Sequence, residues 1–110
     1  MSEMGNKETD GKLRWDLLPY RAIEEVVKVY TYGCIKYDDW NWYKGIPYTK
    51  LFGGMMRHAM KYWIYREQID EENQCHHLAS VVFYCLAFMT FDFEGRNKGM
   101  LDDRKEYVDI

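Results

Sequence analysis

The 110-residue chain is long enough for one domain with one small core, since domains commonly contain about 100–150 residues. Its 47% hydrophobic and 17% aromatic residues differ from the polar composition of disordered chains, so most of the chain is predicted to fold. The net charge of -3 argues against binding of duplex nucleic acid along an extended surface.

The cysteines and the apolar segments indicate a cytoplasmic protein. The three cysteines have neither paired nor Cys-x-x-Cys spacing, which disfavours a disulfide framework and a structural zinc site. The first residues lack the apolar run of a secretory signal. The apolar stretch at 78–91 is shorter than the roughly 20 residues of a membrane span, so no membrane partner is expected.

Composition and helical periodicity place the first helix. The chain divides into a flexible N-terminal arm (1–11), an all-α domain (12–95) and a charged C-terminal tail (96–110). A helix is predicted from about Pro19 to Tyr32, because apolar residues recur at i, i+3, i+4 and i+7, and proline suits a helix start. Gly33 is predicted to end it in the left-handed conformation.

Two further helices follow. The second is predicted to begin after Thr49 as N-cap and to run to about Glu67. The third follows Asn73 as N-cap and runs to about Glu94, with Gly95 closing it. Apolar residues cover nearly every face of this helix, so another copy of the chain is expected to complete the bundle. The prediction is an all-α fold of three main helices in a homo-oligomer, a dimer or a tetramer.

The connection between the first two predicted helices is a candidate binding loop. Loops of about 15 residues are uncommon in compact domains and are usually functional. Asn41 and Trp42 lie in this loop, shortly after Lys36. An indole can stack on a purine and an amide can bind its edge, although this motif is weak by itself.

Five carboxylates are candidate ligands for a hard divalent cation: Glu24, Glu25, Glu67, Asp70 and Glu72. The alternative for Glu25 is a solvated helix face, on which Glu24 pairs with Lys28. The alternative for Glu67 and Asp70 is a favourable interaction with the N-terminal end of the next helix. The spacing alone leaves both alternatives open.

Two histidines are candidates for metal binding, base catalysis or ligand contact. His77 opens the third helix, where it could bind a metal or act as a general base, or lie partly buried and bind the backbone. Ser80 and Tyr84 share its helical face, so a polar strip crosses an otherwise apolar helix, which favours a function. His58 falls on the apolar side of the second helix and is either a core residue or a ligand contact.

A basic face on the second helix is a candidate phosphate contact. Arg57 and Lys61 lie on one helical face with Lys50. Guanidinium groups bind paired phosphate oxygens, whereas the alternative is a solvated basic face. No Walker A, G-x-G-x-x-G or G-x-S-x-G motif is present, which argues against the common phosphate-loop and serine hydrolase classes.

Four segments in chain order resemble the phage-type dATP/dGTP diphosphohydrolase N-terminal family, relatives of the MazG-like all-α nucleotide pyrophosphohydrolases: DGKLRWDLLP, EVVKVYTYGCIKYDDWNWYKG, RHAMKYW and EQIDEENQCHHLA. The resemblance covers about residues 10–90. It implies an all-α fold and hydrolysis of a purine deoxynucleoside triphosphate to a monophosphate and pyrophosphate with Mg²⁺ or Mn²⁺. It implies catalytic and metal-binding roles for Glu25, Glu67, Asp70 and His77, and nucleotide contact for Lys36, Asn41, Trp42, Arg57 and His58.

The chain departs from the family pattern at several positions, among them Arg66, Glu71, Asn73 and Gln74, which replace a turn richer in glycine and proline. Ser80 stands where a second histidine is usual, and Tyr84 stands where an asparagine is common. Both hydroxyls can bind a ligand, but neither is a good Mg²⁺ ligand. Two alternatives to an enzyme follow: a non-catalytic, sponge-like phage protein that sequesters a nucleotide or cyclic nucleotide signal, and a structural helical oligomer whose polar strip fixes its register. A phage-encoded protein would act in the host cytoplasm.

Overall fold

The computed structural model describes residues 3–105, and within this range the secondary structure is helical. The three α-helices are α1 (Tyr20–Lys36), α2 (Tyr48–Trp63) and α3 (His77–Phe93). The described residues also contain an isolated antiparallel β-bridge between Ile69 and His76. The predicted all-α fold is confirmed. The ends of the predicted arm and tail, at 1–2 and 106–110, lie outside the described residues.

The helix α3 is the centre of the fold because it packs against both other helices. Toward α1 the core contains Val26, Val29 and Ala79, together with Cys75 from the preceding connection. The ring of Phe83 packs edge-on against Tyr30 with a centroid distance of 4.9 Å. This contact brings α1 against the same helix that carries His77.

The second core lies between α2 and α3. Its buried members are Tyr48 and Leu51 from α2 and Ala87 and Phe91 from α3. The side chain of Tyr84 packs directly on Gly54, where an added Cβ would lie 2.5 Å from the ring. This close approach aligns the C-terminal half of α2, which carries His58, with the N-terminal half of α3.

The prediction that Gly33 ends the first helix is wrong. The helix continues to Lys36, and the Gly33 carbonyl accepts a hydrogen bond from the Tyr37 backbone N–H at 2.9 Å. The ammonium of Lys36 pairs with Glu72, which is 36 residues away in the sequence. This long-range partner, together with the burial of Val29, explains why the last turn is helical despite the glycine.

The predicted start and end of the second helix are also wrong. The helix begins at Tyr48, and Thr49 does not cap it: its backbone N–H and hydroxyl both donate to the Asp103 carboxylate, at 2.9 and 2.7 Å. The helix ends at Trp63 rather than near Glu67. Arg66 adopts a left-handed conformation (φ 60°), which breaks the helical path.

The third helix begins later than predicted. Asn73 is not its N-cap, because its side-chain oxygen accepts from the Cys75 backbone N–H at 2.9 Å within a turn. The capping residue is His76, whose Nδ1 accepts from the Leu78 backbone N–H at 3.0 Å. At the other end Gly95 has φ 69°, consistent with its predicted role in closing the helix.

The helix α3 is apolar all round, but its outer side is exposed. Leu78, Val82, Met89 and Phe93 are exposed, and Phe93 retains 86% of its accessible surface.

Across the part of the chain that the structure describes, no helix has both the length and the hydropathy needed to cross a membrane.

Candidate functional site

The connection between α2 and α3 positions Asp70. Its backbone N–H donates to the Cys75 carbonyl and its carbonyl accepts from the Gln74 N–H, both at 2.8 Å. Its side-chain Oδ1 accepts from the Glu72 backbone N–H at 2.9 Å. These bonds fix the backbone and one carboxylate oxygen, and the other oxygen is directed at His58.

Asp70 joins two histidines from neighbouring helices. The Nδ1 atoms of His58 and His77 are 2.9 Å apart, and His58 Nδ1 lies 3.7 Å from Asp70 Oδ2. One potential ligand atom from each of the three residues lies within 4.8 Å of the other two. Among the described residues, His58, Asp70 and His77 are the set of potential ligand side chains whose geometry suits a metal ion. We call this set the His–Asp–His group.

His77 is the most deeply buried member of this group, with 1% of its surface exposed. Its Nε2 is a buried polar atom without a hydrogen-bond partner among the described residues. Glu67 Oε2 lies 3.6 Å from this nitrogen and 3.8 Å from the Lys61 ammonium. Glu67 therefore lies behind His77, on the side away from His58.

The surroundings of His58 favour its neutral imidazole. Burial lowers its pKa, and this effect exceeds the opposing influence of the nearby Asp70 carboxylate. The ring is also tilted against that of Tyr84, with a centroid distance of 6.1 Å. A neutral imidazole has a free lone pair, which is the form that binds metals or accepts a proton.

A cavity of about 390 Å³ opens beside the His–Asp–His group. Seven aromatic residues line it: Tyr30, Tyr32, Tyr37, Trp40, Trp42, Phe83 and Tyr84. Among its polar lining residues are Asn41, His58, Asp70 and the buried Ser80. The volume lies within the range of small-molecule sites, about 300–1,000 Å³.

An ion pair closes one side of the cavity. The Lys36 ammonium lies 2.5 Å from Glu72 Oε1, which also accepts from the Tyr32 hydroxyl at 3.1 Å. The carboxylate raises the pKa of Lys36, and the ammonium lowers the pKa of Glu72. Lys36 is therefore a charged cavity residue that already has a protein partner.

Glu25 lies outside the His–Asp–His group. Its Oε1 accepts from the His76 backbone N–H at 2.9 Å, and its Oε2 lies 3.1 Å from Arg21 and 3.3 Å from Lys28. These donors lower the pKa of Glu25 to about 2, with the backbone bond from His76 as the largest cause. Its carboxylate connects α1 to the start of α3.

The structure also places the residues predicted to contact a nucleotide. Lys36, Asn41, Trp42 and His58 line the cavity, whereas Arg57 and Lys61 are exposed residues of α2 outside its lining. Sequence reasoning missed Tyr32. The spacing of Tyr32 and Lys36, one helical turn apart, could have suggested that they share a face.

The fold and the site define a class: small all-α proteins in which a histidine and carboxylate group adjoins a cavity lined by aromatic residues. Within that class, the chain belongs to the family described as dATP/dGTP diphosphohydrolase, N-terminal, which it matches over residues 2–104. No curated protein and no solved structure matches the chain. The family description points to a diphosphohydrolase, a class of enzyme for which a divalent metal is expected.

The His–Asp–His group fits a divalent cation. It offers two imidazoles and one carboxylate, and one atom of each already lies close to the others. The buried His77 Nε2, unpaired among the described residues, fits a ring held for a ligand at its other nitrogen.

Proposed function

We propose that this protein hydrolyses purine deoxynucleoside triphosphates, dATP or dGTP, to the monophosphate and pyrophosphate. One observation carries the proposal: His58 and Asp70 belong both to the His–Asp–His group and to the wall of the aromatic cavity. A base held by aromatic rings in this cavity would have its phosphates near groups suited to a divalent cation. The family membership supports the same reaction class.

Some of these residues would bind the nucleotide base, and others would hold the metal ion. Trp42 offers a face for the base and Asn41 an amide for its edge. Asp70 and the two histidines would hold Mg²⁺ or Mn²⁺. That ion would neutralise phosphate oxygens and lower the pKa of an attacking water.

Glu67 and Arg57 would have different supporting roles. Glu67 Oε2 lies 3.6 Å from His77 Nε2, and on closer approach it would accept a hydrogen bond from an N–H there and keep Nδ1 directed at His58. Arg57, on the exposed face of the turn that carries His58, would bind the outer phosphates.

The test is a nucleotide panel with product analysis. Purified protein is incubated with each canonical deoxynucleoside and ribonucleoside triphosphate and with cyclic dinucleotides, in Mg²⁺, in Mn²⁺ and in EDTA. The expected result is dAMP or dGMP together with pyrophosphate, with metal only. Absence of a monophosphate from every triphosphate at high protein concentration would contradict the proposal.

A second candidate function is nucleotide sequestration without hydrolysis. Ser80 and Tyr84 favour it, because both line the cavity and provide hydroxyls that bind a ligand but are poor Mg²⁺ ligands. In the same panel this function gives an intact nucleotide that stays bound in EDTA. Metal-dependent breakdown of that nucleotide would exclude it.

The outer surfaces of α2 and α3 support a homo-oligomer. Exposed apolar side chains recur at helical spacing on both helices: Phe52, Met56, Met60 and Trp63 on α2, and Leu78, Val82, Met89 and Phe93 on α3. Contiguous apolar surface of this kind is unusual on a monomer. We call these two rows of apolar side chains the α2 stripe and the α3 stripe. In the proposed assembly, a dimer or a tetramer, a second copy covers both stripes.

Sedimentation equilibrium tests the assembly. The expected mass is a multiple of the 13.4 kDa chain, and Val82→Lys, which places a charge in the α3 stripe, should shift the protein toward monomer. Lys50→Glu, on the polar face of α2, is the control and should leave the mass unchanged. A wild-type monomer at every concentration would contradict the assembly.

A further inference from the structure

The contact between the two ring nitrogens sets a chemical condition on the His–Asp–His group. His58 Nδ1 and His77 Nδ1 are 2.9 Å apart. Two lone pairs at that distance repel each other unless a proton or a cation lies between them. The histidines are therefore arranged either to share one hydrogen or to hold one ion.

The position of Glu67 favours an unprotonated Nδ1 on His77. A hydrogen on Nε2 would point toward Glu67 Oε2, 3.6 Å away, and the buried Nε2 has no other partner among the described residues. The lone pair of His77 then lies on Nδ1 and faces His58. Metal-binding histidines are commonly held in this way, with the second nitrogen directed at a carboxylate.

The distances within the group suit one ion. Two ligand atoms that each lie about 2.1 Å from an ion are about 3.0–3.4 Å apart in octahedral or tetrahedral geometry. The observed separations are 2.9 Å between His58 Nδ1 and His77 Nδ1 and 3.7 Å between His58 Nδ1 and Asp70 Oδ2. One ligand atom from each of the three residues lies within 4.8 Å of the other two.

The donor types select the class of ion. Mg²⁺ prefers oxygen ligands, whereas imidazole nitrogen suits first-row transition ions. The neighbouring carboxylates that could make an oxygen site have other partners: Glu25 binds the His76 backbone N–H, and Glu72 binds Lys36 and Tyr32. The group as it stands contains one carboxylate and two imidazoles.

We propose that His58, Asp70 and His77 form a binding site for a divalent first-row transition ion, such as Mn²⁺, Fe²⁺ or Co²⁺, in preference to Mg²⁺. The role of the ion in hydrolysis rests on the proposed function. The inference adds the class of ion that the site binds. Binding of the ion needs no nucleotide and no turnover, so it is measured independently of hydrolysis.

Isothermal titration calorimetry with Co²⁺ and with Mg²⁺ on nucleotide-free protein tests the site. The protein carries no histidine tag, since a tag binds the same ions. We expect one Co²⁺ per chain, with a Kd at least about 100-fold lower than that of Mg²⁺. Visible absorption of bound Co²⁺ should show d–d bands without the sulfur-to-cobalt charge-transfer band that a cysteine ligand would add.

Variants assign the ligands. His58→Gln and Asp70→Asn should each weaken Co²⁺ binding by at least about 10-fold to 100-fold. Asp70→Asn keeps the oxygen that accepts from the Glu72 N–H, so the connection should stay folded, as thermal unfolding followed by circular dichroism would show. His76→Asn is the matched control: it keeps a side-chain acceptor for the helix cap, and Co²⁺ binding should be unchanged.

Three outcomes overturn the inference: Mg²⁺ binding as tightly as Co²⁺, no binding of Co²⁺, or Co²⁺ binding unaffected by both ligand substitutions. If the protein hydrolyses nucleotide with Mg²⁺ but does not bind Co²⁺, the transition-ion site is refuted and the proposed function still stands. If it binds Co²⁺ tightly but cleaves no nucleotide, the proposed function is refuted and the metal site still stands.

Discussion

The carboxylate of Glu25 accepts a hydrogen bond at 2.9 Å from the backbone N–H of His76, 51 residues later in the chain. His76 is the capping residue of α3, and the next residue is His77. Glu25 thus joins the middle of α1 to the residue that precedes a member of the His–Asp–His group. Its contacts favour a structural role over the catalytic role that the resemblance implies.

Removal of this carboxylate should destabilise the fold. We expect Glu25→Ala to lower the free energy of unfolding by about 1–3 kcal/mol, because it leaves a backbone N–H without its charged acceptor. Denaturant unfolding followed by circular dichroism measures the change. Glu24→Ala, at the exposed neighbouring position, is the control and should change stability by less than about 0.5 kcal/mol. Equal effects of the two substitutions would rule out the bond from His76 as a stabilising contact.

The same carboxylate makes stability depend on acid pH. The pKa of Glu25 is about 2 in the folded protein against an ordinary 4.5, so folding favours its ionised form. The stabilisation from Glu25 is therefore complete above about pH 4.5 and is lost as the pH falls toward about 2. Unfolding of the wild type and Glu25→Gln at several pH values should show a stability difference that shrinks over this interval. A difference that stays constant down to pH 2 would show that the charge is not responsible.

Loss of the Asp70 charge should stop the reaction without unfolding the chain. The Asp70→Asn substitution keeps the Oδ1 acceptor for the Glu72 N–H but removes the carboxylate beside His58. Supporting residues of metal sites cost about 10-fold to 100-fold when changed, so a direct ligand should cost more than about 100-fold in kcat/KM. Monophosphate formation measures this, with Glu71→Gln as the adjacent control. Full activity of Asp70→Asn would place the reaction elsewhere.

The close contact between α2 and α3 gives a prediction from two adjacent glycines. A Cβ at Gly54 would lie 2.5 Å from Tyr84, whereas a Cβ at Gly53 would meet the flexible end of Arg57 at 3.3 Å. Gly54→Ala should lower the free energy of unfolding by about 1–3 kcal/mol through overpacking. Gly53→Ala should be neutral or stabilising by up to about 1 kcal/mol, because alanine favours helix. Thermal and denaturant unfolding of the two variants compare them directly, and equal stability would mean that Tyr84 can move away at little cost.

Arg57 should affect substrate affinity more than the rate of chemistry. Its side chain is exposed on α2, beyond the cavity lining, so it can bind phosphate in the ground state and transition state alike. Arg57→Ala should raise KM by about 10-fold with kcat nearly unchanged. Steady-state kinetics on the preferred triphosphate test this, and Lys50→Ala, on the same helix near its start, is the control. A fall in kcat at constant KM would instead give Arg57 a transition-state role.

The sequence by itself determined the class of fold and many of the residues of interest. Apolar residues at helical spacing predicted three helices, because each helix must bury one face. The sequence proposed Asp70 and His77 as metal ligands and His58 as a nucleotide contact, and the structure brings these three side chains together. Helix ends were less predictable: the Gly33 carbonyl accepts from the Tyr37 N–H within a continuing helix, and the Asn73 side chain accepts from the Cys75 N–H in a turn that precedes the third helix.

Only the tertiary structure decided which candidates meet. His58 and His77 belong to different helices, and their 2.9 Å contact depends on the close approach of α2 and α3 at Gly54. Glu25 and Asp70 are equally plausible metal ligands in a sequence, since both are carboxylates near polar neighbours. In the folded chain the Glu25 carboxylate accepts a hydrogen bond from the His76 backbone N–H, whereas Asp70 Oδ2 points toward His58. These partners are fixed by the packing of helices that are distant in the sequence.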